Sequence, residues 1–356
     1  TKWYFRRHCE RSVAILLALA LVLSLGIMAV PMAGTVEANG LVTNIDTGET
    51  FSTIQAAIDD SDTLDGHTIS VAAGTYTEDV TLDKNVSIYG GSPKPTLKGT
   101  LTLGDLENVT IKDITIEDDK KLMKVAAIQI PFTFTNVKFE GMVFKFTAAD
   151  ELDYAIFGQQ DMVTAMGEEG LVFKDCVFNS ANWTRMITGS SLGGPIMFDD
   201  ITLEHEFGVN IPGGEDVTVK NSLTKDGGYF YLSSITNLRL ENNTFTGVTH
   251  TTSVNGADGA IIRNNVFKDS GGKYPALGIT AAWGPTQNYD VVVEYNTFSN
   301  VSGDAIKIYG YTSSPGPDSD FLDVHCNNFT DIDGLAVNNT FDTFTVHAEN
   351  NWWGDA

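Results

Sequence analysis

LENNTF (240–245), IRNNVF (262–267), VEYNTF (293–298) and VHCNNF (324–329) are copies of one pattern: a hydrophobe, four intervening residues and an aromatic ring, with asparagine in the fourth place. IKDITI (111–116), FEGMVF (139–144), FKDCVF (173–178), FDDITL (198–203) and VKNSLT (219–224) extend the pattern upstream, and AENNWW (348–353) extends it downstream. Successive copies are 21 to 34 residues apart. A repeat of this kind marks a solenoid, and its shortest spacing falls below the roughly 33 residues that a helical repeat needs. Two or three short strands joined by tight bends fit instead. The sixth column (Ile116, Phe144, Phe178, Leu203, Thr224, Phe245, Phe267, Phe298, Phe329, Trp353) is expected to point inward and stack. In the fourth column, Asn243, Asn265, Asn296, Asn327 and Asn351 each carry an amide that both donates and accepts, so stacked copies satisfy one another at a bend. Gly272, Gly303 and Gly334 each follow a ladder asparagine by seven residues and precede the segments ALGI, AIKI and LAVN, which read as a corner and a further strand. The expectation is an all-β parallel helix of about a dozen coils, spaced by about 4.8 Å.

The chain has 356 residues, 42% of them hydrophobic, and a net charge of −24. Such acidity repels nucleic acid and anionic membranes. It serves solubility; Ca²⁺ bound by clustered carboxylates is the open alternative, although no spaced Asp/Gly calcium motif is present, so no cofactor is expected. Residues 1–38 read as a signal peptide or membrane anchor. Lys2, Arg6, Arg7 and Arg11 precede an apolar run from Val13 to Val30, and Val36-Glu37-Ala38 offers a cleavage site. The protein is therefore expected to be secreted or displayed at the cell surface, touching a membrane only through an uncleaved N-terminal segment. Residues 39–356 are expected to form a single domain. Cys176 and Cys326 lie too far apart along a solenoid to pair, and are expected to be buried thiols.

FSTIQAAIDDSD (51–62) places Ile54, Ala57 and Ile58 on one helical face, with Ser52 or Thr53 as N-cap. A helix over about 52–60 is expected to cover the open end of the coils, which run from about residue 68 to 356. TIQAAI (53–58), GTYTE (74–78) and KNVSIYG (84–90), with NNWWG (350–354) at the far end, resemble the pectin-lyase-like right-handed parallel β-helix proteins of secreted bacterial and archaeal origin. The resemblance spans nearly all of the chain after the leader and is carried by structural motifs. It implies an extracellular fold and a polysaccharide or cell-surface glycan as partner.

Chemistry is less legible. The family's methylesterases share the GTYTE pattern, but the stretches carrying their nucleophile and acid are missing in order, with DYAIFG (153–158) only a partial echo. Hydrolases of the family place a Gly-His-Gly near converging carboxylates; none is present, and Asp199-Asp200 reads as a bend. A lyase needs a base beside a neutralised uronate, and Lys307 with Asp304 is the weak candidate pair. Insertions at 282–290 and 309–320 fall at the same junction of successive coils, so Trp283, Tyr289, Tyr309 and Tyr311 are expected to cluster as a stacking platform for sugar rings. A third insertion, 147–170, is acidic and partly helical in pattern, and fits a lid, a metal loop or a partner contact. Asn-x-Ser/Thr sequons occur at Asn85, Asn108, Asn182, Asn242, Asn300, Asn328 and Asn338; at Asn242 and Asn328, beside the ladder, a structural role is expected. The reading is a non-catalytic glycan-binding or structural and adhesive module. The alternative is a polysaccharide lyase or glycoside hydrolase acting on an acidic polysaccharide. An exposed last coil after Trp353 leads to two further expectations: a chain continuing past Ala356, or end-to-end self-association.

Overall fold

The computed structural model describes residues 41–126, 131–148, 152–157, 162–181, 184–186, 192–247, 249–270, 274–283, 286–287, 290–310, 322–340 and 345–354. The leader and the final residues, on which the anchor and chain-end readings fall, lie outside this set.

Each coil contributes a strand to each of three sheets. One coil runs through Arg239–Glu241, Thr244–Thr246 and Thr252–Asn255, and the next through Ile261–Arg263, Val266–Ser270 and Leu277–Trp283. Equivalent strands pair in parallel, with Leu240 beside Ile262, Phe245 beside Phe267 and Val254 beside Ile279. Among the described residues the first sheet has 15 strands, the second 11 and the third 12. The six-residue pattern is thus a first-sheet strand, a bend and a second-sheet strand, while ALGI and AIKI belong to the third sheet.

The bend has a fixed backbone. The third position of every copy (Asp113, Gly141, Asp175, Asp200, Asn221, Asn242, Asn264, Tyr295, Cys326 and Asn350) is left-handed, with φ between 53° and 62°. Asp, Asn and Gly tolerate that region best, which explains the column's composition. The residue after it turns inward. Asn243 donates to Asn265 at 3.0 Å, Asn265 to Asn296 at 2.9 Å, Asn296 to Asn327 at 3.0 Å and Asn327 to Asn351 at 3.1 Å. Each ladder oxygen also accepts the backbone N–H of the previous asparagine, and each amide reaches back to a first-sheet carbonyl, as Asn265 does to Leu240. Few buried polar groups remain unsatisfied along this corner.

The sixth column stacks as expected. Phe245, Phe267, Phe298 and Phe329 lie 4.6, 4.7 and 5.0 Å apart with near-parallel planes, and Trp353 stacks on Phe329 at 5.2 Å. Phe139, Phe173 and Phe198 form a second inward stack from the first sheet. Gly303 and Gly334 approach closely: a Cβ on Gly334 would lie 2.6 Å from the Gly303 carbonyl carbon. Cys176 and Cys326 are buried and unpaired, and burial pushes the Cys176 thiol up to about 12.

At the N-terminal end a helix spans Ile54–Asp59, with Thr53 as N-cap and Ile54, Ala57 and Ile58 buried. Glu78 of the GTYTE motif accepts the Ile54 and Gln55 N–H groups at 2.8 and 3.0 Å, so two of the resembling segments lock together structurally. The edge of Thr68–Val71 is taken by an antiparallel strand, Val42–Asn44, rather than by the helix. The partly helical pattern of 147–170 is overturned: its described residues are strands, Leu152–Ile156 and Met162–Lys174. Pairing decides this, because Met162–Lys174 extends the first sheet along Pro131–Glu140.

Candidate functional site

The three outer faces differ in chemistry. Where inward hydrophobes alternate with outward residues, the outward column of the first sheet reads Lys112, Glu140, Lys174, Asp199, Lys220, Glu241, Arg263, Glu294 and His325, each opposite the next. The sign alternates at every step from Lys112 to Glu294. Lys112–Glu140 (2.9 Å), Lys220–Asp199 (3.3 Å) and Arg263–Glu241 (3.0 Å) are direct ion pairs. Hydrogen bonds from Lys138 and Lys112 hold the Glu140 carboxyl at about 2. The second sheet carries shorter runs of the same kind, with Glu117 between Lys98 and Lys145, and Lys225 on Glu204. Asp200, at the bend as expected, is raised by burial and by the neighbouring Asp175. Carboxylates also gather at Glu49, Asp60 and Asp62, within 4.8 Å of one another.

The third sheet is different. Its outward columns run Arg185, Gly208, Tyr229; then Asn210, Tyr231, Ser253, Gly278, Lys307, Asn338; then Ser233, Asn255, Thr280, Tyr309. Among the described residues these columns hold no carboxylate. Ser253, Asn255 and Thr280 are buried beneath their neighbours, Asn255 donating to Ser233 at 3.2 Å. The Tyr309 hydroxyl meets that of Ser253 at 3.5 Å, and it lies over Gly278, where a Cβ would stand only 2.7 Å from the phenol oxygen. The Tyr229 ring likewise lies where a side chain on Gly208 would be. Tyr229, His250 and Tyr274 continue as a ring stack, with centroids 5.1 and 6.0 Å apart, ending on Tyr274, which is 45% exposed. The buried Asn210 Oδ1 and Thr251 Oγ1 atoms have no hydrogen-bond partner among the described residues. The face is a polar floor with phenol and imidazole rings set along the coil axis.

Of the sequence-predicted residues, Tyr309, Lys307 and Asp304 fall on or beside this face. Tyr309 and Lys307 lie in it, half-buried. Trp283 ends the strand Leu277–Trp283, paired in parallel with Ile306–Gly310, so the two insertions leave from neighbouring third-sheet strands. The Trp283 side chain, Tyr289 and Tyr311 lie outside the described residues. Lys307 is 3.8 Å from Asp304, whose carboxylate also accepts the Leu335 N–H at 2.9 Å and the Asn338 amide at 2.8 Å. Tyr229, Tyr231, His250 and Tyr274 were missed in the sequence. Their signal is faint: a glycine at 208 opposite Tyr229 of the next coil.

Residues 186–352 match the family model described as a right handed beta helix region. The fold is a right-handed parallel β-helix. Over 78 residues the chain is 37% identical to a cell surface glycoprotein of Methanothermus fervidus. That match covers 22% of this chain and 12% of the relative, so the chain spans only a small part of that protein's length. Similar solved structures include a mannuronic-acid-specific family 6 polysaccharide lyase from human gut microbiota, 11% identical with a TM-score of 0.41, covering 82% of this chain and 88% of the lyase. A surface protein and adhesin of Streptococcus pneumoniae is 13% identical with a TM-score of 0.40, covering 81% of this chain and 91% of the adhesin.

Proposed function

We propose that the chain is an extracellular surface β-helix that holds a neutral, hydroxyl-rich polysaccharide along the outer face of its third sheet without cleaving it. The composition of that face carries the reading: amides, hydroxyls and rings occupy the outward positions, whereas the other two faces are laced with ion pairs. Rings set along an axis suit pyranose faces, and the hydroxyls and amides of the same outward columns can donate to and accept from sugar hydroxyls. Partial identity to a cell surface glycoprotein supports the location. An acidic polysaccharide fits less well, because Lys307 and Arg185 stand in separate columns five coils apart, and the Asp304 carboxylate beside Lys307 is already taken up by Leu335 and Asn338.

The test is a glycan array of neutral and uronate-containing polysaccharides, with assays for new reducing ends and unsaturated products. Retention of neutral chains with no product is expected. Product release, or binding confined to uronates, would overturn the reading.

A further inference from the structure

The Asn-x-Ser/Thr sequons are alike in sequence, but the structure separates them. Asn85 accepts the Glu107 N–H at 2.7 Å and faces Asp65. Asn108 is linked to Asn136 at 3.1 Å, the Asn300 amide donates to Asp269 at 2.8 Å, and that of Asn338 donates to Asp304 at 2.8 Å. Asn328 is half-buried, with its side-chain oxygen sealed from solvent. Asn182 lies outside the described residues.

Asn242 differs. It occupies the left-handed position of the bend, with φ at 57°, and its side chain is exposed. Its backbone N–H is bonded to the Arg263 carbonyl at 3.2 Å, and among the described residues its side-chain amide has no partner. The left-handed conformation turns this residue outward while Asn243, one position on, turns into the buried ladder. Asn242 thus has the structural role expected of it through its left-handed backbone, while its side chain is left outside the ladder that Asn243 joins. Thr244 completes the sequon at the start of the second-sheet strand, outward and half-buried, opposite Leu223 and Val266.

We propose that Asn242 is an N-linked glycan acceptor of the exported chain, an assignment that rests on the extracellular reading above. The donor is an oligosaccharide carried on a polyprenyl phosphate or pyrophosphate. The Asn242 Nδ2 forms a bond to the anomeric carbon, the bond from that carbon to the lipid phosphate oxygen breaks, and the amide gives up one proton as the phosphate leaves with the bonding pair. Because Asn242 sits on the corner between the first and second sheets, a glycan there leaves the outer face of the third sheet clear.

The experiment expresses the full chain in a host whose export pathway glycosylates Asn-x-Ser/Thr, beside Asn242→Gly and Thr244→Val variants, with glycopeptide mass spectrometry on cytosolic and exported fractions. A glycan on the peptide carrying Asn242 is expected in the exported chain, lost in both variants, with the melting temperature of Asn242→Gly not lowered, because glycine tolerates the left-handed bend. An exported chain with Asn242 bare would overturn this assignment alone. A chain that is never exported and is bare at every sequon would overturn the extracellular reading and this assignment together.

Discussion

Thr224 occupies a ring position of the inward ladder, between Leu203 and Phe245, and among the described residues its buried hydroxyl has no hydrogen-bond partner. Phe230 from the third sheet fills the space, set edge-on to both Phe198 and Phe245. Thr224→Val keeps the shape and removes an unsatisfied donor, so it is expected to stabilise the fold by about 1–2 kcal/mol, read as a higher denaturant midpoint with an unchanged slope. Asn265 lies at the other extreme. Asn265→Leu takes their Asn265 side-chain partner from the Asn243 N–H and the Leu240 carbonyl and leaves the Asn296 side-chain oxygen only the residue 265 backbone N–H, at a cost of about 3 kcal/mol or more in the same measurement. Glu140 titrates in a window of its own. Its carboxyl is held down from 4.5 to about 2, so its stabilising contribution is fully present above about pH 4.5 and is lost as pH falls through about 2. Replacing it with glutamine should flatten acid unfolding over that window, which a pH series of melting temperatures reads directly.

At the scale of the strand, the first sheet's outward column stacks opposite charges at every coil, and a slip of one coil sets like charges against each other. Lys220→Glu makes three acids in succession, from Asp199 through position 220 to Glu241, and is expected to cost about 1 kcal/mol at low salt, with the loss shrinking in molar salt. Insensitivity of the loss to salt would assign it to packing instead. This column was open to reading: the second residue of each copy runs Lys112, Glu140, Lys174, Asp199, Lys220, Glu241, Arg263, Glu294, His325 and Glu349. A search for hydrophobic columns passes over it, because sign alternation leaves hydropathy constant. The fourth and sixth columns were legible because each position faces its own kind one coil away. The third sheet resisted, since its strands follow corners of variable length and no constant offset aligns Tyr231, Ser253 and Lys307. The helical pattern of 147–170 misled for a related reason: Met162–Lys174 gains its strand from pairing along the first sheet, which local periodicity does not encode.

At the scale of the molecule, the right-handed β-helix sorts chemistry by side. Two faces spend their outward positions on ion pairs that hold coil to coil, and the third carries a polar floor with rings above it. Function is therefore expected to concentrate on one face, with the others tolerant of substitution. The most direct measurement is affinity electrophoresis through gels containing the neutral polysaccharide that the array identifies. It compares the parent chain with Tyr231→Ala/Tyr309→Ala on the third sheet and with Lys174→Ser/Glu294→Ser on the first, after circular dichroism shows all three folded. The account predicts that the tyrosine pair loses retention while the first-sheet pair migrates like the parent. Equal retention by the tyrosine variant, or loss confined to the first-sheet variant, would contradict it.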